Sequence, residues 1–243
     1  MVIDHAAVGL IEQSELASGV AWSLCGTAMR LVGRVAFPLF AFMIAEGAAH
    51  TRDRRWYALR LLLLAVISEI PFDLVAGGTW LFPADQNTVF TLLLGLLAVW
   101  AGDLICGTGS GVSYGNREKT GDGGRKAVGQ RRFPLEYERY IRVLAAVPFG
   151  LAAYCLKTDY GFMGVLLIVI LYTLRTEPQL RTAVCAVFLF CMYMDFYGAE
   201  ACVAISLINR YNGEKGSGSG RIFYLFYPLH LLVIRGIKMA VGL

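Results

Sequence analysis

Residues 88–106 read TVFTLLLGLLAVWAGDLIC, an almost unbroken apolar run. A helix that crosses the ~30 Å hydrocarbon core of a bilayer needs about 20 largely apolar residues. The run has that length, and it holds no glycine or proline cluster that would end a helix early. It therefore predicts a membrane-spanning helix, and the rest of the chain can be interpreted outward from it.

Apolar windows of similar character lie on both sides of this run, separated by charged or glycine-rich breaks. Together they predict nine spans, at about 1–21, 27–48, 56–76, 88–106, 139–156, 160–174, 182–197, 199–209 and 222–241. The run at 199–209 is too short to cross a bilayer alone, so it is either a half-helix or continuous with its neighbour. We expect an all-α, polytopic transmembrane helical bundle of eight to ten spans, forming a single domain over residues 1–243.

The composition agrees with a lipid environment. Of the 243 residues, 57% are hydrophobic and 16% are charged, whereas water-soluble domains carry about 25% charged residues. No basic stripe with interleaved aromatic residues is present, which excludes nucleic acid as an expected partner. The six cysteines occur singly, without a C-x-x-C pair, and predict buried reduced thiols and no metal site.

The positive charge of the chain is concentrated in alternate connections, at 50–55, 117–142, 175–181 and 209–221. Cytoplasmic loops of membrane proteins carry an excess of Lys and Arg. This pattern predicts a multi-pass protein of the cell membrane with a cytoplasmic N-terminus and an external C-terminus. The first ten residues lack the features of a signal peptide, so we expect the first helix to be retained. The segment at about 107–138 is rich in Gly, Ser, Lys and Arg and predicts a flexible cytoplasmic loop.

Several ionisable residues lie inside the predicted spans, where they cost free energy unless they face protein or water. They are Asp4, His5, Arg34, Glu46, Glu69, Asp73 and His230. Acyl transfer needs a base that takes a proton from an incoming hydroxyl or amine, and a cation that stabilises an oxyanion. A proton-coupled transporter or channel uses the same residue types. Residue types alone therefore leave both functions open.

The second predicted span contains Pro38, which cannot donate a hydrogen bond to the carbonyl of Arg34 and so predicts a kink. Arg30 is expected to extend outward to the interface, and Glu46 to share a helix face with His50. Glu69 and Asp73 near the outer end of the third span either pair with Arg30 or Arg34, or bind the acceptor. All three histidines are expected in the cytoplasmic half.

The stretch LVGRVAFPLFAFMIAEG at 31–47 resembles the signature of the TraX family. Further stretches agree with that family in order along the chain: IDH at 3–5, YALRL at 57–61, ISEIPFD at 67–73, NTVFTLLLGL at 87–96, YNGEKG at 211–216 and FYPLHL at 226–231. The resemblance covers the chain from end to end, apart from the loop near 107–138 and the middle helices.

The resemblance implies a membrane acetyltransferase related to the acyltransferase-3 group. Such an enzyme would move acetyl from cytosolic acetyl-CoA to an acceptor amine or hydroxyl, such as a pilin N-terminus, a glycan or a small molecule. Its partners would be the lipid bilayer and acetyl-CoA, and the acceptor is unknown. The alternatives are a small proton-coupled transporter or channel, and a non-catalytic assembly factor for pili or conjugation.

In this interpretation His5 is the general base, oriented by Asp4 or by a nearby acid. Arg34 stabilises the thioester oxyanion or a CoA phosphate, and Glu46 holds Arg34 or His5 in place. His230 and Tyr227 line the acyl-CoA entrance, with His230 as the second candidate for the base. The expected substrate-binding residues are Glu69, Asp73 and Asn87.

Overall fold

The computed structural model describes residues 1–12, 20–108, 132–193, 198–214 and 220–241, and most of them are helical. The helices are α1 Val2–Ala6, a π-helix Ala7–Glu12, α2 Val20–Arg34, α3 Ala36–His50, α4 Arg54–Ala76, α5 Thr88–Cys106, α6 Leu135–Cys155, α7 Gly161–Thr173, α8 Pro178–Tyr193, α9 Gly198–Asn209 and α10 Gly220–Val241. The described residues hold no β-strand, only an isolated bridge between Gln86 and Thr158. The all-α prediction is confirmed.

The core of the bundle is built around α5, which packs against α3, α4, α6 and α7. Leu96 and Val99 of α5, and Leu167 and Ile168 of α7, are at most 1% exposed. A helix that is apolar on all sides is stable only when it is surrounded by other helices or by lipid, and α7 meets that condition within the protein. This core forms a rigid scaffold for the connections at both of its ends.

The predicted kink in the second span lies where Pro38 places it. α2 ends at Arg34 and α3 begins at Ala36, with Val35 between them. Pro38 lacks the N–H that would bond to the Arg34 carbonyl in a continuous helix. The helix is thus interrupted at the predicted position, and Arg34 is the last residue of α2.

The first span does not have the predicted form. The π-helix ends at Glu12 and α2 already begins at Val20, while residues 13–19 lie outside the described part. The Gly33 position of α2 faces Asp4, and the Gly26 position of α2 faces Ile11. The segment formed by α1 and the π-helix therefore runs antiparallel to α2. A helical hairpin, not one helix over 1–21, therefore holds Asp4 beside the break at Val35.

This hairpin predicts that Gly33→Ala destabilises the protein, because the added methyl group would lie 2.8 Å from the Cα of Asp4. Overpacking of this kind costs about 1–3 kcal/mol. Gly236→Ala in α10 is the matched control, since a methyl group there meets nothing within 4 Å. Thermal unfolding of the purified proteins in detergent should show a lower melting temperature for Gly33→Ala alone. An equal fall in both variants would contradict close packing at Gly33.

The basic connections converge on one end of the bundle, around the carboxylate of Asp103. Its oxygens lie 2.7 Å from Arg54 Nη1 and 3.1 Å from Arg142 Nη2, and they accept a 2.5 Å hydrogen bond from the Tyr172 hydroxyl. The side chain of Asp103 is 1% exposed. We call this cluster of Asp103, Arg54, Arg142 and Tyr172 the basic end. The cluster was not predicted from the sequence, because Asp103 lies inside an otherwise apolar run.

The connection between α5 and α6 leaves and re-enters the bundle at this same basic end. The backbone N–H of Arg132 donates to the carbonyl of Cys106 at 3.3 Å. Residues 109–131, which include most of the predicted flexible loop, lie outside the described residues. The last part of that predicted loop, 135–138, belongs to α6.

The described residues contain fewer helices suited to crossing a membrane than the nine predicted spans. Three helices among the described residues are long and apolar enough to cross a membrane: Trp22–His50, Thr88–Cys106 and Tyr224–Val241. α7 has 13 residues and α9 has 12, which makes them about 20 Å and 18 Å long. α4 and α6 are long enough but carry several charged residues each.

Candidate functional site

A cavity of about 520 Å³ lies at the end of the bundle opposite the basic end. It is bounded by α1, α2, the last turns of α4, and the connection between α6 and α7. Its charged and ionisable lining consists of Asp4, His5, Arg30, Arg34, Asp85 and Asp159. Three of the four predicted catalytic residues, His5, Asp4 and Arg34, therefore line one space.

His5 lies at this cavity, and its orientation is set by His230. The Nδ1 atom of His5 is 2.9 Å from Nε2 of His230, and the two rings stack with centroids 5.1 Å apart. Each histidine is 7% exposed. The second nitrogen of His230, Nδ1, is 2.9 Å from the carbonyl oxygen of Phe226.

These contacts fix the tautomers of the two neutral rings. A carbonyl can only accept, so Nδ1 of His230 carries the hydrogen and Nε2 of His230 accepts. His5 must then donate from Nδ1, which leaves the lone pair of its Nε2 free. Nε2 of His5 makes no hydrogen bond within the described part of the chain. His5 is thus prepared to accept a proton at Nε2.

Asp4 does not orient His5, contrary to the prediction. It pairs with Arg30, whose Nη1 lies 3.0 Å from Asp4 Oδ1. Neighbouring residues on a helix point in different directions, so Asp4 and His5 cannot face each other. The same ion pair corrects the expectation for Arg30, which lines the cavity and does not extend to the interface.

Glu46 is remote from the cavity. It pairs with His50 at 3.3 Å, as the shared helix face predicted. The twelve positions between Arg34 and Glu46 correspond to about 18 Å along a helix. Glu46 therefore holds neither Arg34 nor His5. The prediction that all three histidines lie in the same half of the bundle is also wrong, because His5 contacts His230 beside the cavity while His50 lies towards the basic end.

Tyr227 packs edge-on against both histidines, with ring centroids 6.1 Å from His5 and 5.4 Å from His230. It is 5% exposed, and its hydroxyl lies close to Thr88. The predicted association of Tyr227 with His230 is present.

The three predicted substrate-binding residues hold a connection together instead of lining this cavity. The backbone N–H of Asn87 donates to Glu69 Oε2 at 3.2 Å, and the Asn87 side chain caps α5 by accepting from the N–H of Val89 at 3.0 Å. Asp73 accepts from the backbone N–H of Phe82 at 3.0 Å. Glu69 and Asp73 therefore support the α4–α5 connection and do not pair with Arg30 or Arg34.

Asp159 and Tyr160, which were not predicted from the sequence, enter the cavity from the α6–α7 connection. The hydroxyl of Thr88 donates to Asp159 Oδ2 at 2.6 Å. The Tyr160 ring stacks on Phe37 with centroids 3.6 Å apart, and its φ of 65° is rare for a residue with a side chain. The available signal was the polar sequence Lys157-Thr158-Asp159 between two apolar runs.

Comparison with known proteins identifies a family and a relative. The family described as TraX protein matches residues 1–108 and 132–238, which include every residue of the cavity. The probable fimbrial assembly protein FimC, serogroup H1, of Dichelobacter nodosus is 26% identical over 265 residues, covering 98% of this chain and 91% of that protein. No solved structure matches.

Proposed function

Since this chain belongs to the TraX family, we propose that it is a membrane-embedded acyltransferase in which His5 is the general base. The observation that carries the proposal is a buried histidine that lines a cavity together with two arginines, and whose tautomer, set by His230, leaves the lone pair of Nε2 free. A base oriented by a third group is the arrangement that activates nucleophiles in many transferases.

His5, Arg34 and Asp4 have different roles in the proposed reaction. The acceptor attacks the thioester carbon while its proton moves to Nε2 of His5. Arg34, the last residue of α2, stabilises the oxyanion that forms on the carbonyl. The carbon–sulfur bond then breaks, and the proton returns from His5 to the departing sulfur. Asp4 contributes by holding Arg30 at the cavity wall.

The resemblance implies acetyl-CoA as the acetyl donor. A second cavity has the size and apolar lining to hold the pantetheine arm of acetyl-CoA. This cavity of about 220 Å³ is mainly apolar and is lined by Tyr57, Tyr224 and Tyr227, among others. This second cavity lies between the histidine pair and the basic end. Tyr227 lines the second cavity and also contacts both histidines. The donor would enter from that side, with Arg34, Tyr227 and His230 nearest the reacting thioester.

The proposal includes the placement of the protein in the cell membrane. Within the described part of the chain, three helices have the length and composition to cross a bilayer, and Arg54 and Arg142 lie together at the basic end. With the basic end in the cytoplasm, as positive charge favours, the large cavity lies towards the opposite face. The acceptor would reach the cavity from that face.

Two measurements on the purified protein in detergent test this function. Coenzyme A should raise the melting temperature, because a ligand that binds only the folded state stabilises it. Acetyl-CoA should be consumed with release of free thiol. A protein that is neither stabilised by coenzyme A nor able to consume acetyl-CoA would contradict the proposal.

A second candidate function comes from the name of the relative. That protein is called a probable fimbrial assembly protein, which favours a role in assembling surface filaments, with or without catalysis. A His5→Gln variant separates the two cases in a host that assembles filaments with this protein. Normal assembly by that variant would support the non-catalytic role, whereas failure of assembly with normal protein levels would support acyl transfer.

A further inference from the structure

The large cavity contains a carboxylate that the proposed reaction does not use. Asp4 is committed to Arg30, but Asp159 forms no ion pair within the described part of the chain. The side-chain hydrogen bond that it accepts comes from the neutral hydroxyl of Thr88. Asp159 can therefore interact with a cation that enters the cavity.

Asp159 is held firmly at this position. Its backbone N–H donates to the carbonyl of Gln86 at 2.9 Å, and the N–H of Gln86 donates to the carbonyl of Lys157 at 2.9 Å. Lys157 and Tyr160, on either side, both have positive φ, at 53° and 65°. Such conformations cost about 1–3 kcal/mol and persist only where the surroundings impose them.

Asp159 also shares a second, smaller space with His5. That space measures about 10 Å³ and is lined by His5, Asp4, Thr88 and Asp159. It is close to the volume that a single water molecule needs. A proton could pass between the two side chains through one water, because Nε2 of His5 is the acceptor of the histidine pair that the contacts among the described residues leave free.

The histidine pair itself offers no route for a surplus proton. Nδ1 of His230 is engaged with the Phe226 carbonyl, which does not take up a proton near neutral pH. A proton that reaches Nε2 of His5 must therefore leave again through the cavity. The cavity needs a separate acceptor whenever the reaction releases a proton.

We infer that Asp159 is a further catalytic residue, which binds a protonated amine acceptor and takes its surplus proton. The inference rests on the proposed acyl transfer. An ammonium group gives its first proton to the Asp159 carboxylate and becomes a neutral amine. As the amine attacks, its second proton moves to His5 and then to the departing sulfur. One proton per turnover leaves from Asp159 to solvent, so atoms and charges balance.

Burial raises the pKa of Asp159 to about 6, and this effect exceeds the opposing effect of the Thr88 hydrogen bond. The carboxylate that accepts the proton is thus lost as the pH falls below about 6. The titratable and charged groups around it are the amino group of Met1, Asp4 and His5 of α1, Arg30 and Arg34 of α2, Glu69 of α4, Asp85 of the α4–α5 connection, the adjacent Tyr160, and Tyr227 of α10.

The test measures acetyl-CoA turnover by the full-length protein in detergent between pH 5 and 8, with glycinamide as the amine probe and glycerol as the hydroxyl probe. In the unmodified protein the glycinamide rate should fall as the pH drops through about 6, which we call the acidic limb of the pH–rate profile. Asp159→Asn should lower the glycinamide rate at least tenfold and remove this acidic limb. It should affect the glycerol rate much less. Asp159→Glu should restore the acidic limb of the pH–rate profile, and Glu46→Gln, remote from the cavity, should retain it.

The pattern of rates with the two probes separates a failure of the role of Asp159 from a failure of the proposed acyl transfer. An unchanged limb in Asp159→Asn, or equal losses with both probes, would overturn the role of Asp159 and leave acyl transfer intact. Turnover with glycerol but none with glycinamide in the unmodified protein would do the same. Absence of acetyl-CoA turnover in the unmodified protein with either probe would refute the proposed function itself.

Discussion

His5→Gln should lose acyl transfer by about 10²–10⁴-fold, the range that removal of a general base produces. Glutamine keeps a side-chain N–H that can donate to Nε2 of His230, so the histidine contact is replaced rather than left unpaired. It cannot accept a proton from the acceptor. The measurement is the rate of acetyl-CoA consumption at saturating donor, together with the melting temperature of each protein.

His50→Ala is the matched control for this variant. His50 is 60% exposed and pairs with Glu46 away from the cavity, so its removal should leave turnover nearly unchanged. His5→Ala should lose turnover as His5→Gln does, and should also be less stable because His230 loses its partner. Near-normal turnover in His5→Gln would show that another group is the base, with His230 the next to test.

Asp103→Asn should destabilise the protein more than Gly33→Ala or either His5 substitution does. It removes the carboxylate that pairs with both Arg54 and Arg142, whose side chains are only 10% and 12% exposed, and leaves Glu138 as a second partner of Arg142 alone. Removing one partner of a buried ion pair costs about 3–5 kcal/mol. For a chain of this size that corresponds to a fall in melting temperature of roughly 6–20 °C.

Glu177→Gln provides the comparison. Glu177 pairs with Arg139 near the same end of the bundle, but both side chains are more than 40% exposed. Exposed ion pairs contribute at most about 1 kcal/mol, so the melting temperature should change little. Equal effects of the two substitutions would mean that Asp103 is not the centre of a buried network. Turnover measured below the melting temperature should be nearly normal in both.

Local features of the fold could be predicted because their causes lie close together in the sequence. The absence of an N–H at Pro38 places the break between α2 and α3. The pair of Glu46 and His50 follows from their spacing of four. The apolar run at 88–106 became α5 with the predicted bounds.

The candidate site could be predicted only in part, because its contacts join distant segments. His5 and His230 are 225 residues apart, and nothing local shows that their rings stack. The sequence predicted one crossing over 1–21, whereas the hairpin of α1 and α2 places His5 in one cavity with Arg30 and Arg34. Asp103 was overlooked because hydropathy averaged over a long run hides one carboxylate.

The hydrogen bond between Arg132 and Cys106 brings the two ends of a long connection together at the basic end. The spacing of these two ends is set by the packing of α5 against α6, so it does not depend on the length of the connection. Insertions or deletions within 109–131 should therefore change stability very little, and they are separated from the cavity by the length of α5. This stretch is the natural place to fuse a fluorescent reporter, because the helices it joins already hold each other.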